Sequence, residues 1–322
     1  FGPQKVALRA DWRAHHSELG RRPTATRPAD RAAAPVPAEG HAGSATAAAG
    51  AVEVLFRPDP TIHDGRFANN GWLQELPKPL TKLCWDNAVL VGPALAGRFG
   101  LSNEDVVELR AGDLAVQGPV FIVPGQADGL VTLTLGYGRR RGGEIANGTG
   151  FDAYALRTSS AAWSGTSVEL RKTGTTLLLA CTQDHHSMEG RGLVRSATLE
   201  KFRDHPHFVH EGHHLPKMSM YADYVYDGYS WGMTIDLNAC TGCNACTIAC
   251  QAENNIPIVG KEDAANGREM HWIRIDRYFE GDLDNPAIHY QPVPCMQCEN
   301  APCEPVCPAN ATVHSDEGLN DM

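Results

Sequence analysis
Cysteine thiolates are soft ligands, and their spacing in a chain constrains which metal centre they hold. Residues 240–250 place Cys240, Cys243, Cys246 and Cys250 in a C-x2-C-x2-C-x3-C run. Residues 295–308 place Cys295, Cys298, Cys303 and Cys307 in a C-x2-C-x4-C-x3-C run, closed by Pro308. Eight of the ten cysteines lie in these two runs. Three thiolates two residues apart, on a tight loop, converge on three irons of one cube. The fourth, three residues on, starts a helix and reaches another centre. The pattern therefore points to [4Fe–4S] centres ligated by these eight thiolates, and to one-electron chemistry.

Two competing readings are weaker. Four cysteines within eleven residues are too crowded for relaxed disulfides. Structural zinc sites prefer C-x2-C pairs separated by a longer gap.

The loops need elements to hold them. Gly242 relaxes the backbone of the first run. Cys246–Ala252 reads as a short helix, and Pro308 is tolerated at an early helical position. Met233–Leu237 reads as a strand leading into the first run. Ile273–Tyr278 and His289–Val293 read as paired strands around a turn at Asp282–Pro286. The result is a ferredoxin-like unit with an inserted hairpin.

The whole chain has 322 residues, room for about two domains. No apolar stretch reaches eighteen residues, so no helix is expected to span a membrane. The chain does not begin with Met and shows no signal peptide. We therefore read it as a fragment of a longer precursor. Its net charge of −10 is unevenly placed. Residues 230–322 hold 14 acidic against 4 basic side chains, and the remaining 229 residues balance to zero. This disfavours nucleic acid as a partner, and an acidic face suits a basic redox partner or simple solvation.

In chain order, residues 1–51 read as the tail of an upstream domain and a flexible linker rich in Ala, Pro and Gly. Residues 52–158 read as a β-rich barrel domain. Val52–Phe56, Asp105–Leu109, Val120–Val123 and Leu130–Leu135 are its strands, the last after an Asp128-Gly129 turn. Leu95–Phe99 is a short helix ended by Gly100. Residues 159–229 form a connecting segment with His185, His186, His205, His207, His210, His213 and His214. Tyr221, Tyr224, Tyr226, Tyr229 and Trp231 follow. Without an H-E-x-x-H or C-x-x-C-H motif, these groups suit packing better than metal binding. Cys84 and Cys181 sit in apolar surroundings and read as inert buried thiols. Residues 230–322 read as the iron–sulfur domain.

Several stretches resemble a known domain: Asn69-Asn70-Gly71-Trp72-Leu73-Gln74-Glu75-Leu76-Pro77, Thr81-Lys82, Trp85-Asp86-Asn87, Pro124-Gly125-Gln126 and Leu135-Gly136-Tyr137-Gly138-Arg139. They look like the C-terminal domain of molybdopterin oxidoreductases. The resemblance implies a double-psi-type β-barrel, so the expected fold is α+β, mainly β. No molybdenum-ligating context is present, so the barrel alone implies no molybdenum site.

The cysteine region resembles the four-cluster electron-transfer subunits of the polysulfide and DMSO reductase type. That resemblance implies four Cys runs, the first pairing with the fourth and the second with the third. Counting thiolates alone leaves a second pairing open. Cys240, Cys243, Cys246 and Cys307 would hold one centre, and Cys295, Cys298, Cys303 and Cys250 the other.

The order of barrel, His-rich junction and cluster domain resembles the iron–sulfur subunit of alternative complex III, a quinol:cytochrome c or blue-copper oxidoreductase. This implies an electron relay with no bond-making site and no molybdopterin, lying peripherally on the periplasmic side of the membrane. Its partners would be integral membrane quinol-oxidising subunits, c-type cytochrome subunits and a soluble cytochrome c or blue-copper acceptor. The family also implies one [3Fe–4S] centre, which nothing in these runs marks. The alternatives are the electron-transfer part of a molybdenum-dependent polysulfide/DMSO reductase-type enzyme, and a standalone two-cluster ferredoxin module.

Overall fold
The computed structural model describes residues 51–210, 225–228 and 230–321. The chain divides into two compact units. One is Ala47–Glu211 with Asp236–Met296; the other is 1–46, Gly212–Ile235 and Gln297–Met322. The secondary structure is mixed and mostly sheet.

The larger unit is built on a closed barrel of six strands. These are β1 (Ala51–Pro58), β3 (Val89–Val91), β4 (Asp105–Ala111), β5 (Leu114–Ile122), β6 (Leu130–Leu135) and β7 (Thr166–Thr176). Their order around the barrel is β1-β6-β3-β5-β4-β7, and β7 pairs back onto β1. Two neighbouring pairs, β1/β6 and β3/β5, are parallel; the others are antiparallel. Alternation drives the closure: along β1, Val52, Val54 and Phe56 turn inward while Glu53 and Arg57 face out. They meet Val107, Leu109, Val131, Leu133 and Val168 in one core. Each such side chain contributes roughly 1.5–3 kcal/mol on burial.

Two differences from the sequence patterning have plain causes. Strand β5 begins at Leu114, although only Val120–Val123 reads as strand, because Gly118-Pro119 looks like a break. It pairs antiparallel with β4 up to Pro119 and then parallel with β3 from Val120. The Gly-Pro step therefore marks a change of partner. Strand β7 closes the barrel from beyond residue 158, within the stretch patterned as a connecting segment. It is mostly polar, with only Thr166, Val168 and Leu170 buried, and its pairing with β4 is irregular.

Two short helices join the barrel strands. Helix α1 (Gly71–Glu75) is capped by Asn70, whose side chain accepts the Leu73 N–H. Helix α2 (Pro93–Phe99) opens on Pro93 and ends on Gly100 in the left-handed region. The pair β2 (Leu83–Cys84) and β8 (Ala180–Cys181) is antiparallel. An exposed helix α3 (Leu199–Asp204) follows.

The remainder of this unit carries helix α4 (Ala245–Glu253), helix α5 (Lys261–Ala265) and the hairpin β9 (Ile273–Glu280)/β10 (Ala287–Pro294). The expected hairpin and helix form with slightly longer bounds. The expected strand at Met233–Leu237 does not form. Those residues are coil running into a turn, and β-favouring side chains there have no partner strand. The smaller unit contains the rest of the second Cys run and a short hairpin, β11 (Val313–His314) with β12 (Asn320–Asp321). The expected helical start at Pro308 is a turn instead.

Candidate iron–sulfur site
The first Cys run lies on a loop that opens helix α4. Gly242 takes φ +67°, and a Cβ there would overlap the Tyr290 ring. Asn244 takes φ 61° as the residue before the helix, and its amide donates to the Pro77 carbonyl. The loop is thus turned by two left-handed residues and pinned to the segment that joins barrel strands β1 and β3. Cys240 and Cys250 are half-buried, and Cys243 and Cys246 are exposed. Cys250 lies within α4 rather than at its start.

Four contacts fix this region onto the barrel side of the same unit. Trp72 Nε1 donates to the Ile256 carbonyl at 2.7 Å. Glu75 accepts the Val259 and Gly260 amides. Lys261 pairs with Asp86 at 2.5 Å. Gly125 N–H donates to the Leu283 carbonyl at 2.8 Å. Trp72, Glu75, Asp86 and Gly125 all belong to the stretches that carry the molybdopterin-oxidoreductase resemblance.

Beside the loop lie two buried cations. Lys82 is 1% exposed and Arg277 2%. Lys82 Nζ, Arg277 Nε and Arg277 Nη1 have no hydrogen-bond partner among the described residues. Lys82 Nζ stands 5.9 Å over the Tyr290 ring, the ring that packs on Gly242. Burial, and then the nearby Arg277 guanidinium, push the Lys82 ammonium down to about 8. Burial also lowers Arg277. The sequence did offer a signal for Arg277: in β9 it occupies the inward register between Ile275 and Phe279. Lys82 stands in the Thr81-Lys82 pair of the resemblance stretches, which gave no sign that it is buried.

In the second run, Cys295 follows β10 and its N–H donates to the Trp272 carbonyl at 3.0 Å. Cys298, Cys303 and Cys307 belong to the smaller unit. There, Thr312 Oγ1 lies 3.9 Å and Asn320 Oδ1 3.5 Å from the Cys303 sulfur. The Ala311 N–H donates to the Cys307 sulfur at 3.3 Å. With the amides of Ala309, Asn310 and Thr312 it holds that thiol below its usual range. His314 contacts the Glu304 carboxylate and the Cys298 carbonyl, bracing the run.

Cys84, Cys181, Cys240, Cys243, Cys246, Cys250, Cys295, Cys303 and Cys307 form no disulfides. Among the described residues, no three His, Cys, Asp or Glu side chains gather as they would around one metal ion. A four-iron cube takes one thiolate per iron and so spreads its ligands wider than a single ion does. The thiol set, the amides turned onto Cys307 and the partnerless cations beside Cys240 fit a negatively charged iron–sulfur group.

The other cysteines and histidines behave differently. Cys84 is fully buried, and burial pushes its thiol far up; Cys181 is raised to about 11. Cys84 is buried as expected, whereas Cys181 is only partly buried at the end of β8. His186 packs edge-on against Phe279 at 6.0 Å and is lowered by burial. His185 pairs with Glu189, and His207 lies beside His210. His213, His214, Tyr221, Tyr224 and Tyr229 lie outside the described residues. Elsewhere, a cavity of about 470 Å³ is lined by Gly136–Arg141, Asp152 and Tyr154.

A 4Fe-4S dicluster domain family matches residues 239–311, a span holding all eight run cysteines. The chain is thus an iron–sulfur protein of the [4Fe–4S] type. It is 44% identical over 27% of its length to the menaquinone reductase iron–sulfur cluster-binding subunit of Nitratidesulfovibrio vulgaris, covering 34% of that protein. It is 37% identical over 29% of its length to a dimethyl sulfoxide reductase iron–sulfur subunit of Halobacterium salinarum, covering 37% of it. It is 37% identical over 28% of its length to a polysulfide reductase component of Wolinella succinogenes, covering 42% of it. The chain therefore spans about two fifths or less of these relatives. No helix among the described residues is long and apolar enough to cross a membrane.

Proposed function
We propose that this chain is an electron-relay component of a membrane-associated reductase complex of the polysulfide/DMSO type. In this reading Cys240, Cys243, Cys246, Cys250, Cys295, Cys298, Cys303 and Cys307 are iron ligands. The unbroken family match across both Cys runs carries it, and the relatives' names, iron–sulfur subunits of reductases, support it. When bound, [4Fe–4S] centres supply reversible one-electron transfer. The chain's own residues turn the first thiolate loop at Gly242 and Asn244, anchor it through Trp72 and Glu75, and set its charge surroundings. Membrane association would come through partner subunits. The test is iron quantification with a potentiometric EPR titration of the protein in its complex. A reduced [4Fe–4S] signal that vanishes in Cys243→Ser is expected; a protein without iron would overturn the reading.

A second reading has one specific observation behind it. The closed barrel and the first Cys run share one compact unit. This favours the fused arrangement of alternative complex III, with a double-psi barrel kept as scaffold and electrons passed from quinol toward c-type haems on the periplasmic side. Elemental analysis separates the two. Molybdenum at about one per complex supports the reductase type; quinol:cytochrome c activity without molybdenum supports the other.

A further inference from the structure
We propose that Lys82 and Arg277 form a fixed cationic wall that raises the reduction potential of the centre held by the Cys240 run. The inference rests on the reading that this run ligates iron.

Both side chains are almost fully buried, and Lys82 Nζ, Arg277 Nε and Arg277 Nη1 lack hydrogen-bond partners among the described residues. Burying two like charges side by side is unfavourable unless an anion offsets it. Asp276, the carboxylate within electrostatic range of Lys82, is engaged by Arg274 at 2.9 Å. Cys181 also lies within electrostatic range of both cations, but burial raises its thiol to about 11 and keeps it neutral, which leaves the thiolate loop at Cys240 as the anionic element. Tyr290 connects them: one part of its ring packs on Gly242, and its face carries the Lys82 ammonium.

The backbone at Lys82 is built for this aim. It holds φ +59°, the left-handed region, which is strained for a lysine. Its N–H donates to the Lys78 carbonyl, and its carbonyl accepts the Thr182 N–H, both at 3.0 Å. Arg277 is held in register by Gln183, which accepts its N–H at 2.8 Å and donates to its carbonyl at 2.9 Å.

Adding one electron to the site adds one negative charge, and no bond is made or broken. A fixed cation therefore stabilises the reduced form more than the oxidised one. Charge and burial around a cluster are among the levers that set its potential.

The experiment is a potentiometric EPR titration of the cluster-loaded protein as Lys82→Met, Lys82→Arg and Arg277→Gln, with iron content measured. Lys82→Met and Arg277→Gln should each lower the reduction equilibrium of the first centre about tenfold, about 59 mV for one electron. Lys82→Arg should stay within about threefold of the unaltered protein, about 28 mV by the same constant. Loss of that centre's iron in Lys82→Met but not in Lys82→Arg would also support the proposal, as charge-dependent occupancy. Unshifted potentials, or equal iron loss in both Lys82 variants, would overturn it. A first-centre signal that survives Cys243→Ser would instead mean that the ligand assignment has failed.

Discussion
The carboxylate of Glu75 accepts the backbone N–H groups of both Val259 and Gly260 at 3.0 Å through Oε2, across about 184 residues of chain. Glu75 is fully buried and also accepts Trp85 Nε1 at 3.2 Å. It satisfies two amides just ahead of helix α5, where the helix end is short of acceptors and favours negative charge. Glu75→Ala should cost about 2–4 kcal/mol, because it leaves buried donors unpaired. Glu75→Gln should cost less, since one oxygen remains. Urea unfolding measures the loss, and hydrogen exchange at Val259 and Gly260 localises it. Unchanged protection of those two amides in Glu75→Ala would show that the contact does not hold the segment.

This contact shows what the sequence could and could not reveal. The eight run cysteines, helix α4 and the β9/β10 hairpin are legible because their signals are local: ligand spacing, a turn, a period of two. Strand β6 likewise announces itself through Asp128-Gly129 and an apolar alternation. Strand β7 does not, because its inward face carries only Thr166, Val168 and Leu170, and closure, not composition, makes it a strand. Arg277 shows in sequence only as an inward position of β9, and Glu75 and Lys82 only as members of the resemblance stretches, none of them with a sign of what it meets. They become important only when distant segments meet, and no periodicity encodes that meeting.

Gly242 offers a local test of the cysteine loop. An alanine there meets two separate penalties. The left-handed φ costs a non-glycine residue about 1–2 kcal/mol, and its methyl would overlap the Tyr290 ring. Gly242→Ala should lower both stability and iron content. Adding Tyr290→Ala should relieve only the overlap and leave the backbone cost. A double-mutant cycle on iron retention and unfolding free energy separates the two. Simple additivity of the two substitutions would contradict the packing of Tyr290 on the loop.

The cysteines should fall into two groups. Cys243→Ser should strip one centre and interrupt electron flow through it. Cys84→Ser should retain iron and cost about 1–2 kcal/mol through packing alone, since Cys84 is wholly buried and its thiol faces the Ala180 carbonyl at 3.7 Å. Iron per chain and thermal unfolding of the two variants check this. Matching iron loss in both would remove the distinction between ligating and structural thiols.

His271, next to the Trp272 whose carbonyl accepts the Cys295 N–H, gives the chain an acid-sensitive point. It is largely buried, its Nε2 has no partner among the described residues, and burial pushes it from the ordinary 6.5 down to about 4. The folded state therefore keeps His271 neutral where the unfolded chain would take up a proton. Between pH 6.5 and 4 the unfolded state binds more protons, so stability rises with pH across that window. The contribution is full above pH 6.5 and is lost progressively as pH falls toward 4; the loss is about 2 kcal/mol by pH 5. Replacing His271 with Phe removes the titrating group and should flatten this part of the profile. Unfolding free energies at pH 7.5 and pH 5, compared between the two proteins, measure the difference. Equal falls in both would place the acid sensitivity elsewhere.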